Sequence, residues 1–334
     1  MSQLPTIGVL GAGAWGTALA QMLSSDGRAV LLWAREAELV AKINADHRNT
    51  FYLPSAQLNP AIRATGNLAE LARLDVLLAV TPAQRMGAVL RGMSTPPRHL
   101  VICCKGIEAE SGRLMNEVAA AAAPASQVAV LSGPTFAHEV ADGLPTAVTL
   151  ACSGGEAQWE ELAPAIARPA FRPYYSDDVT GAEIGGAVKN VLAIACGVVD
   201  GLRLGQNARA ALIARGYAEM LRFGEALGGR AETLAGLCGL GDLVLTCSST
   251  ASRNFSLGKA LGEGQPPVAL LADRRTVAEG AHTAPVLHRL AEERGIAMPI
   301  TAAVVRLLEG APARAVVTGL LARPLRAEQG GTAA

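Results

Sequence analysis

The sequence has no excess of charge, no metal-binding pattern and no membrane-length apolar run, and each absence removes a class of function. Lys and Arg number 29, as do Asp and Glu, so no whole-molecule field gathers the protein onto nucleic acid or an anionic membrane. Any anion site must be local. The six cysteines, Cys103, Cys104, Cys152, Cys196, Cys238 and Cys247, form no CxxC pair, and no two of the five histidines have metal-ligand spacing. This is the pattern of a reduced, metal-free cytoplasmic protein. The most apolar later stretch, Val191 to Val199, falls well short of the roughly 20 residues that cross a bilayer. An early apolar run ends in Ala18-Leu19-Ala20, like a signal-peptide cleavage site, but no Lys or Arg precedes Arg28. The glycine spacing explains the same residues better. Internal repeats and low-complexity linkers are also missing.

What is present is a chain of 334 residues, half of them hydrophobic, long enough for about two domains. Thr6 to Leu10 reads as a buried strand running into Gly11-Ala12-Gly13-Ala14-Trp15-Gly16, then a helix from Trp15 to Leu23 and a second strand, Ala29 to Trp33. That is one βαβ unit with glycines at its first turn. Strand-like runs recur at Asp75–Val80, Leu100–Cys104, Val128–Leu131 and Ala147–Leu150, with helical patterns between them. Continuous apolar strands alternating with helices imply an α/β, Rossmann-like, mostly parallel sheet covered on both faces. After Phe171–Tyr175 the pattern turns to Ala/Leu-rich helical segments broken by glycine. The expected division is a dinucleotide-binding domain over 1–178, an all-helical substrate domain over 179–323 and a disordered tail from 324.

The glycines have a mechanism: Gly11 permits the tight turn, Gly13 lets a pyrophosphate approach the backbone, and Gly16 lets helix pack on strand. The helix N-terminus supplies free N–H groups and a positive dipole end. At the end of the second strand, where an acidic residue often reads the ribose, stands Arg35 with Glu36 beside it. A guanidinium there suits the 2′-phosphate of NADP; a solvated strand-end charge is the plainer alternative, and NAD use stays open.

Lys105 and the segment Gly133-Pro134-Thr135-Phe136-Ala137 each follow a strand, at the end of the sheet where ligands bind in open α/β folds. Position alone makes them candidates, and His138 beside them reads as surface polarity. Lys189-Asn190 sits inside an apolar helical stretch. Burying an ammonium costs several kcal/mol unless it is paired, and desolvation would move such a lysine toward the range of a general base. Snorkelling to solvent is the ordinary alternative. Gly239-Leu240-Gly241-Asp242, Thr246 and Ser252-Arg253-Asn254 combine tight turns, a carboxylate, hydroxyls and an Arg-Asn pair. They suit a phosphate and a hydroxyl ligand, and equally two helix caps and a loop.

Together these segments, with Gly205-Gln206-Asn207, Arg215-Gly216 and Glu279-Gly280, resemble the NAD(P)-dependent glycerol-3-phosphate dehydrogenases of bacterial type, in family order from residue 7 to about residue 283. The resemblance implies that Gly11, Gly13, Ala14, Trp15, Gly16, Arg35, Ala137, Val277 and Glu279 line the cofactor site, and that Lys105 and Arg253 touch both cofactor and substrate. It implies Lys189 as proton acceptor, with Gly133, Thr135, Asn190, Asp242, Thr246, Ser252 and Asn254 around the substrate. The sequence departs from many relatives in having Ala14 and Thr135 where they have Ser. The implied reaction is reversible hydride transfer between glycerol 3-phosphate and NAD or NADP, supplying phospholipid synthesis, in a cytoplasmic homodimer. Another two-domain hydroxyacid or hydroxyacyl dehydrogenase, or a dinucleotide-sensing module without catalysis, remains the alternative.

Overall fold

The structure is a computed structural model describing residues 5–272 and 278–324. The first part of the chain alternates strand and helix: β1 (Ile7–Leu10), α1 (Ala14–Leu23), β2 (Val30–Trp33), α2 (Ala37–Asp46), β3 (Ile62–Thr65), α3 (Leu68–Leu71), β4 (Val76–Ala79) and α4 (Ala83–Arg91). It continues with β5 (His99–Ile102), α5 (Met115–Ala122), β6 (Gln127–Ser132), α6 (Ala137–Ala141), β7 (Thr146–Cys152), α7 (Gly155–Ile166) and β8 (Phe171–Ser176). The eight strands form one sheet in the order β3-β2-β1-β4-β5-β6-β7-β8, parallel except where β6 meets β7. Because β2 and β3 lie to one side of β1 and β4 onward to the other, the strand order reverses between β1 and β4. That crevice is where open α/β sheets bind ligands.

The sheet is mostly parallel because both faces are buried. Val76 and Leu78 of β4 join a core with α1, α2 and α7, whereas Leu77 and Ala79 join a second core with α4 and α5. Two strands were not expected from the sequence. β3 is four residues long with Arg63 exposed, and β8 carries Pro173, which only an edge strand accommodates.

From Val179 the described structure is helical: α8 (Val179–Gly201), α9 (Gln206–Ala226), α10 (Ala231–Ala235), a π-helical turn (Leu237–Gly241), α11 (Asp242–Thr246), α12 (Arg253–Gly262), α13 (Pro267–Leu271), α14 (Glu279–Glu293), α15 (Pro299–Leu308) and α16 (Ala313–Leu321). Asp178 caps α8 by accepting from Gly181 N at 2.8 Å. Every residue of α8 from Gly181 to Val199 is buried, as expected of a helix apolar all round and wrapped by neighbours. The apolar run Val191–Val199 therefore belongs to a 23-residue helix that is long enough by length and composition to cross a membrane, yet its most apolar window is wholly buried inside the protein. Close approach lets α12 cover it: a Cβ on Gly197 would overlap the Phe255 carbonyl, and one on Gly258 the Ile194 carbonyl. The expected tail lies, from residue 325, outside the described residues.

Candidate active site

Gly11, Thr81, Lys105 and Gly133 follow β1, β4, β5 and β6, and these strands are parallel neighbours. All four therefore emerge on the same edge of the sheet. At the glycine turn each residue has its own steric reason. Gly11 has φ of +121° and abuts the backbone of Val80 and Thr81, and a Cβ on Gly16 would overlap the Gly11 carbonyl. Gly13 differs: nothing lies within 4 Å of where its Cβ would stand. It is the N-cap of α1, with no side-chain cap on the N-terminal N–H groups of the helix. An anionic diphosphate fits such a cradle. Trp15 packs on the core beside it with a buried indole N–H that has no partner.

A second group of polar side chains is built around one carboxylate. Asp242 begins α11 and is completely buried; its Oδ1 accepts from Lys189 Nζ at 2.6 Å and its Oδ2 from Lys105 Nζ at 2.6 Å. Thr246, one turn further along α11, accepts from Lys189 Nζ at 2.9 Å and donates to Asp242 Oδ1 at 3.2 Å. Lys105 also donates to the Gly133 carbonyl at 3.1 Å, linking the sheet edge to the helices. Burial pulls the Lys189 pKa down to about 8; Asp242 opposes that shift and the Lys105 charge adds to it. Two lysines on one carboxylate leave a buried excess of positive charge when both are protonated, which favours an anionic ligand.

Ser252 is the N-cap of α12, accepting from Phe255 N at 3.3 Å, so Arg253 and Asn254 occupy its first turn. Cap and ligand readings of this segment are thus compatible. Asn254 donates to Asn190 Oδ1 at 2.9 Å and accepts from Gly280 N at 2.9 Å, tying α8, α12 and α14 together. Glu279 opens α14 with Oε2 3.6 Å from where a Cβ on Gly106 would stand, and that buried oxygen has no hydrogen-bond partner among the described residues. Burial lifts its pKa to about 7 against the pull of the Arg253 charge and a bond from the Ala83 backbone.

The fold thus joins Lys105, Gly133, Lys189, Asp242 and Thr246 by hydrogen bonds around one carboxylate, pairs Asn190 with Asn254, and sets Glu279 beside Gly106. Thr135 hydrogen-bonds back to the Gly133 carbonyl at 3.3 Å, and Ala137 starts α6 just beyond it. Arg35 stands apart at the end of β2, its side chain exposed and paired to Glu36 at 2.7 Å. Val277 lies outside the described residues. Sequence reasoning passed over three polar groups at the sheet edge or its turn: Thr81 and Ser132, buried hydroxyls without a partner, and Asn49, whose amide reaches the Ala12 carbonyl. Only the solitary position of Ser132 before Gly133 was a local signal; nothing nearby in sequence marks the other two.

A doubly wound sheet with a glycine turn at its switch point, followed by a helical region that buries a lysine on a carboxylate, is the arrangement of a dinucleotide-dependent dehydrogenase. The family follows from sequence comparison. Residues 6–158 match the model described as NAD-dependent glycerol-3-phosphate dehydrogenase N-terminus, and residues 178–318 the corresponding C-terminus. The chain belongs to this family. It is 74% identical over 322 residues to glycerol-3-phosphate dehydrogenase [NAD(P)+] of Erythrobacter litoralis, covering 96% of this chain and 97% of the relative. It is 73% identical to the enzyme of the same name from Novosphingobium aromaticivorans, covering 96% and 98%. Among solved structures, glycerol-3-phosphate dehydrogenase of Coxiella burnetii superposes with a TM-score of 0.90 at 40% identity, covering 96% of this chain and 99% of that one. A D-mandelate dehydrogenase, at 16% identity and a TM-score of 0.60 with 93% and 99% covered, shares the fold alone.

Proposed function

We propose that this protein catalyses reversible hydride transfer between sn-glycerol 3-phosphate and NAD(P)+, forming dihydroxyacetone phosphate, with Lys189 as the proton acceptor. The observation that carries the reading is Lys189 itself: a buried amine with its pKa drawn to about 8, held by Asp242 and Thr246 beside Lys105. Such a group exchanges protons near neutrality, which an exposed lysine does poorly. The nicotinamide of NAD(P), when bound, supplies the hydride acceptor or donor.

In the oxidative direction neutral Lys189 takes the proton from the C2 hydroxyl as hydride leaves C2; in reduction protonated Lys189 returns it to the forming alkoxide. Asp242 and Thr246 hold the amine so that its remaining valence points to substrate. Lys105 and Arg253 supply positive charge for the phosphate, with Ser252, Asn254, Asn190, Gly133 and Thr135 as polar neighbours. Fixing the phosphate converts remote binding energy into alignment at C2. Gly11, Gly13, Ala14, Trp15 and Gly16 would hold the pyrophosphate at the open face of α1, with Arg35, Ala137, Val277 and Glu279 along the rest of the dinucleotide. Family resemblance adds a cytoplasmic homodimer to this reading; light scattering of a monomer at working concentration would remove the dimer.

The deciding experiment follows oxidation of NADPH, and in parallel NADH, on adding dihydroxyacetone phosphate. Turnover that falls by about two to four orders of magnitude in Lys189→Met, with cofactor binding retained, is the expected result. Turnover of a 2-keto acid and none of the triose phosphate would sink the proposal.

A further inference from the structure

The glycine turn is held in shape by a residue remote in sequence. Asn49, in the segment between α2 and β3, is completely buried. Its Nδ2 donates to the Ala12 carbonyl at 2.8 Å and to Thr17 Oγ1 at 2.7 Å; Thr17 Oγ1 in turn donates to the same carbonyl at 3.3 Å. Asn49 Oδ1 accepts from Tyr52 N at 3.1 Å, and the Asn49 carbonyl accepts from Leu53 N at 2.9 Å. Both amide hydrogens and the oxygen are therefore used, and the neighbours fix which end of the amide is which: a carbonyl demands a donor and a backbone N–H an acceptor.

We infer that Asn49 is a positioning residue for the dinucleotide, acting through the Ala12–Gly13 peptide to aim the Gly13 N–H at the pyrophosphate. The peptide is trans and planar, so its C=O and N–H point in opposite directions. Drawing the Ala12 carbonyl inward to Asn49 turns the Gly13 N–H the opposite way, and no described atom lies within 4 Å of where a Cβ on Gly13 would stand. Without the Asn49 donor the buried carbonyl keeps only the longer bond from Thr17 at 3.3 Å, and the peptide is held less firmly. A peptide turned the other way would present an oxygen to the diphosphate, and like partial charges would then oppose binding. Thr17 lies in the first turns of α1 and locks the same carbonyl from the helix side, so loop, turn and helix share one hydrogen-bonded knot.

The inference rests on the reading that this turn takes a dinucleotide, and wild-type binding of NADPH, followed by tryptophan fluorescence, tests that reading separately. If the wild-type protein binds, three variants test Asn49. Asn49→Asp keeps the size and the acceptor for Tyr52 N but removes both donors; Thr17→Val keeps the shape and removes the hydroxyl. Gln57→Ala serves as the control, because Gln57 Nε2 donates to the Asp46 and His47 carbonyls in the same loop at 3.3 and 3.1 Å without touching the turn.

Asn49→Asp should raise the NADPH Kd by about ten- to a hundredfold and Thr17→Val by less, whereas Gln57→Ala should leave it unchanged. The Ki of 2′-AMP, which has no pyrophosphate, should not move in any variant, and kcat at saturating NADPH should stay within about twofold of wild type. An unchanged NADPH Kd in folded Asn49→Asp, or an equal loss for 2′-AMP, would overturn the role. If Asn49→Asp does not fold, the Thr17→Val Kd decides by the same criterion.

Discussion

Asp242 and Lys189 meet at 2.6 Å inside the protein, with the second oxygen of Asp242 at the same distance from Lys105. One carboxylate thus holds the amine proposed as proton acceptor in place and opposes the fall in its basicity that burial causes. Desolvation lowers the Lys189 pKa and Asp242 raises it, with the result near 8. Oxidation needs the neutral amine, so its kcat/KM rises with pH through about 8; reduction needs the ammonium and falls through the same range. In Asp242→Asn the raising influence is gone and the desolvation and Lys105 repulsion remain. The acid limb for glycerol 3-phosphate oxidation should therefore move to lower pH while the rate falls, and an unmoved limb would argue against Asp242 as the tuning group.

Gly13 and Gly16 should fail in different ways when replaced by Ala. A Cβ on Gly16 would overlap the Gly11 carbonyl, so Gly16→Ala is expected to lower Tm sharply. Gly13→Ala meets no protein atom within 4 Å, so its Tm should stay close to wild type while its NADPH affinity drops. Thermal melts paired with cofactor titrations distinguish the two, and a Gly13→Ala protein that binds normally would remove the pyrophosphate from this face.

Arg35 is exposed and, among the described residues, engaged with Glu36 at 2.7 Å, a pair worth about 1 kcal/mol or less, so it can turn to a ligand at little cost. Arg35→Ala should weaken NADPH more than NADH, because only NADPH offers a 2′-phosphate. Equal losses in the two KM values would show that Arg35 does not read that group.

Glu183, buried in α8, accepts from Asn116 N at 2.8 Å but leaves Oε2 without a partner. Burial lifts its pKa to about 8, opposed by the Asn116 bond and helped by the Glu117 charge. Its folded pKa lies above its unfolded value, so the native state holds the proton more tightly, and this stabilising contribution is lost as pH rises from the usual carboxylate range through about 8. Glu183→Gln cannot ionise and should flatten the fall of Tm between about pH 5 and 8, by the equivalent of a few kcal/mol at most. Glu219, raised by burial to about 7 although three bonds from Ile300 and Thr301 oppose it, keeps part of the slope. An identical slope in the variant would show that Glu183 is not a source of it.

The βαβ unit was legible because its signals are local: a four-residue apolar strand, glycines at fixed spacing and a helix directly after them. Strand β3 was not, since four residues with one exposed arginine give periodicity too little to work with. The apolar run Val191–Val199 is only part of a 23-residue helix, Val179–Gly201, whose full length a run of apolar residues does not show because glycines, Glu183, Lys189 and Asn190 interrupt the pattern. Neighbouring helices make those residues acceptable, and a sequence window does not contain the neighbours.

The sequence by itself determined the glycine turn, the alternating layers and the residue types proposed for proton transfer and phosphate binding, because spacing and chemical type are properties of the chain. Tertiary structure alone decided that Asp242 joins Lys189, 53 residues away, to Lys105, 137 residues away, and that Asn49 fixes a carbonyl 37 residues before it. These contacts depend on which elements pack together and which groups lose water when they do. That loss of water turns an ordinary lysine into an amine with a pKa near 8.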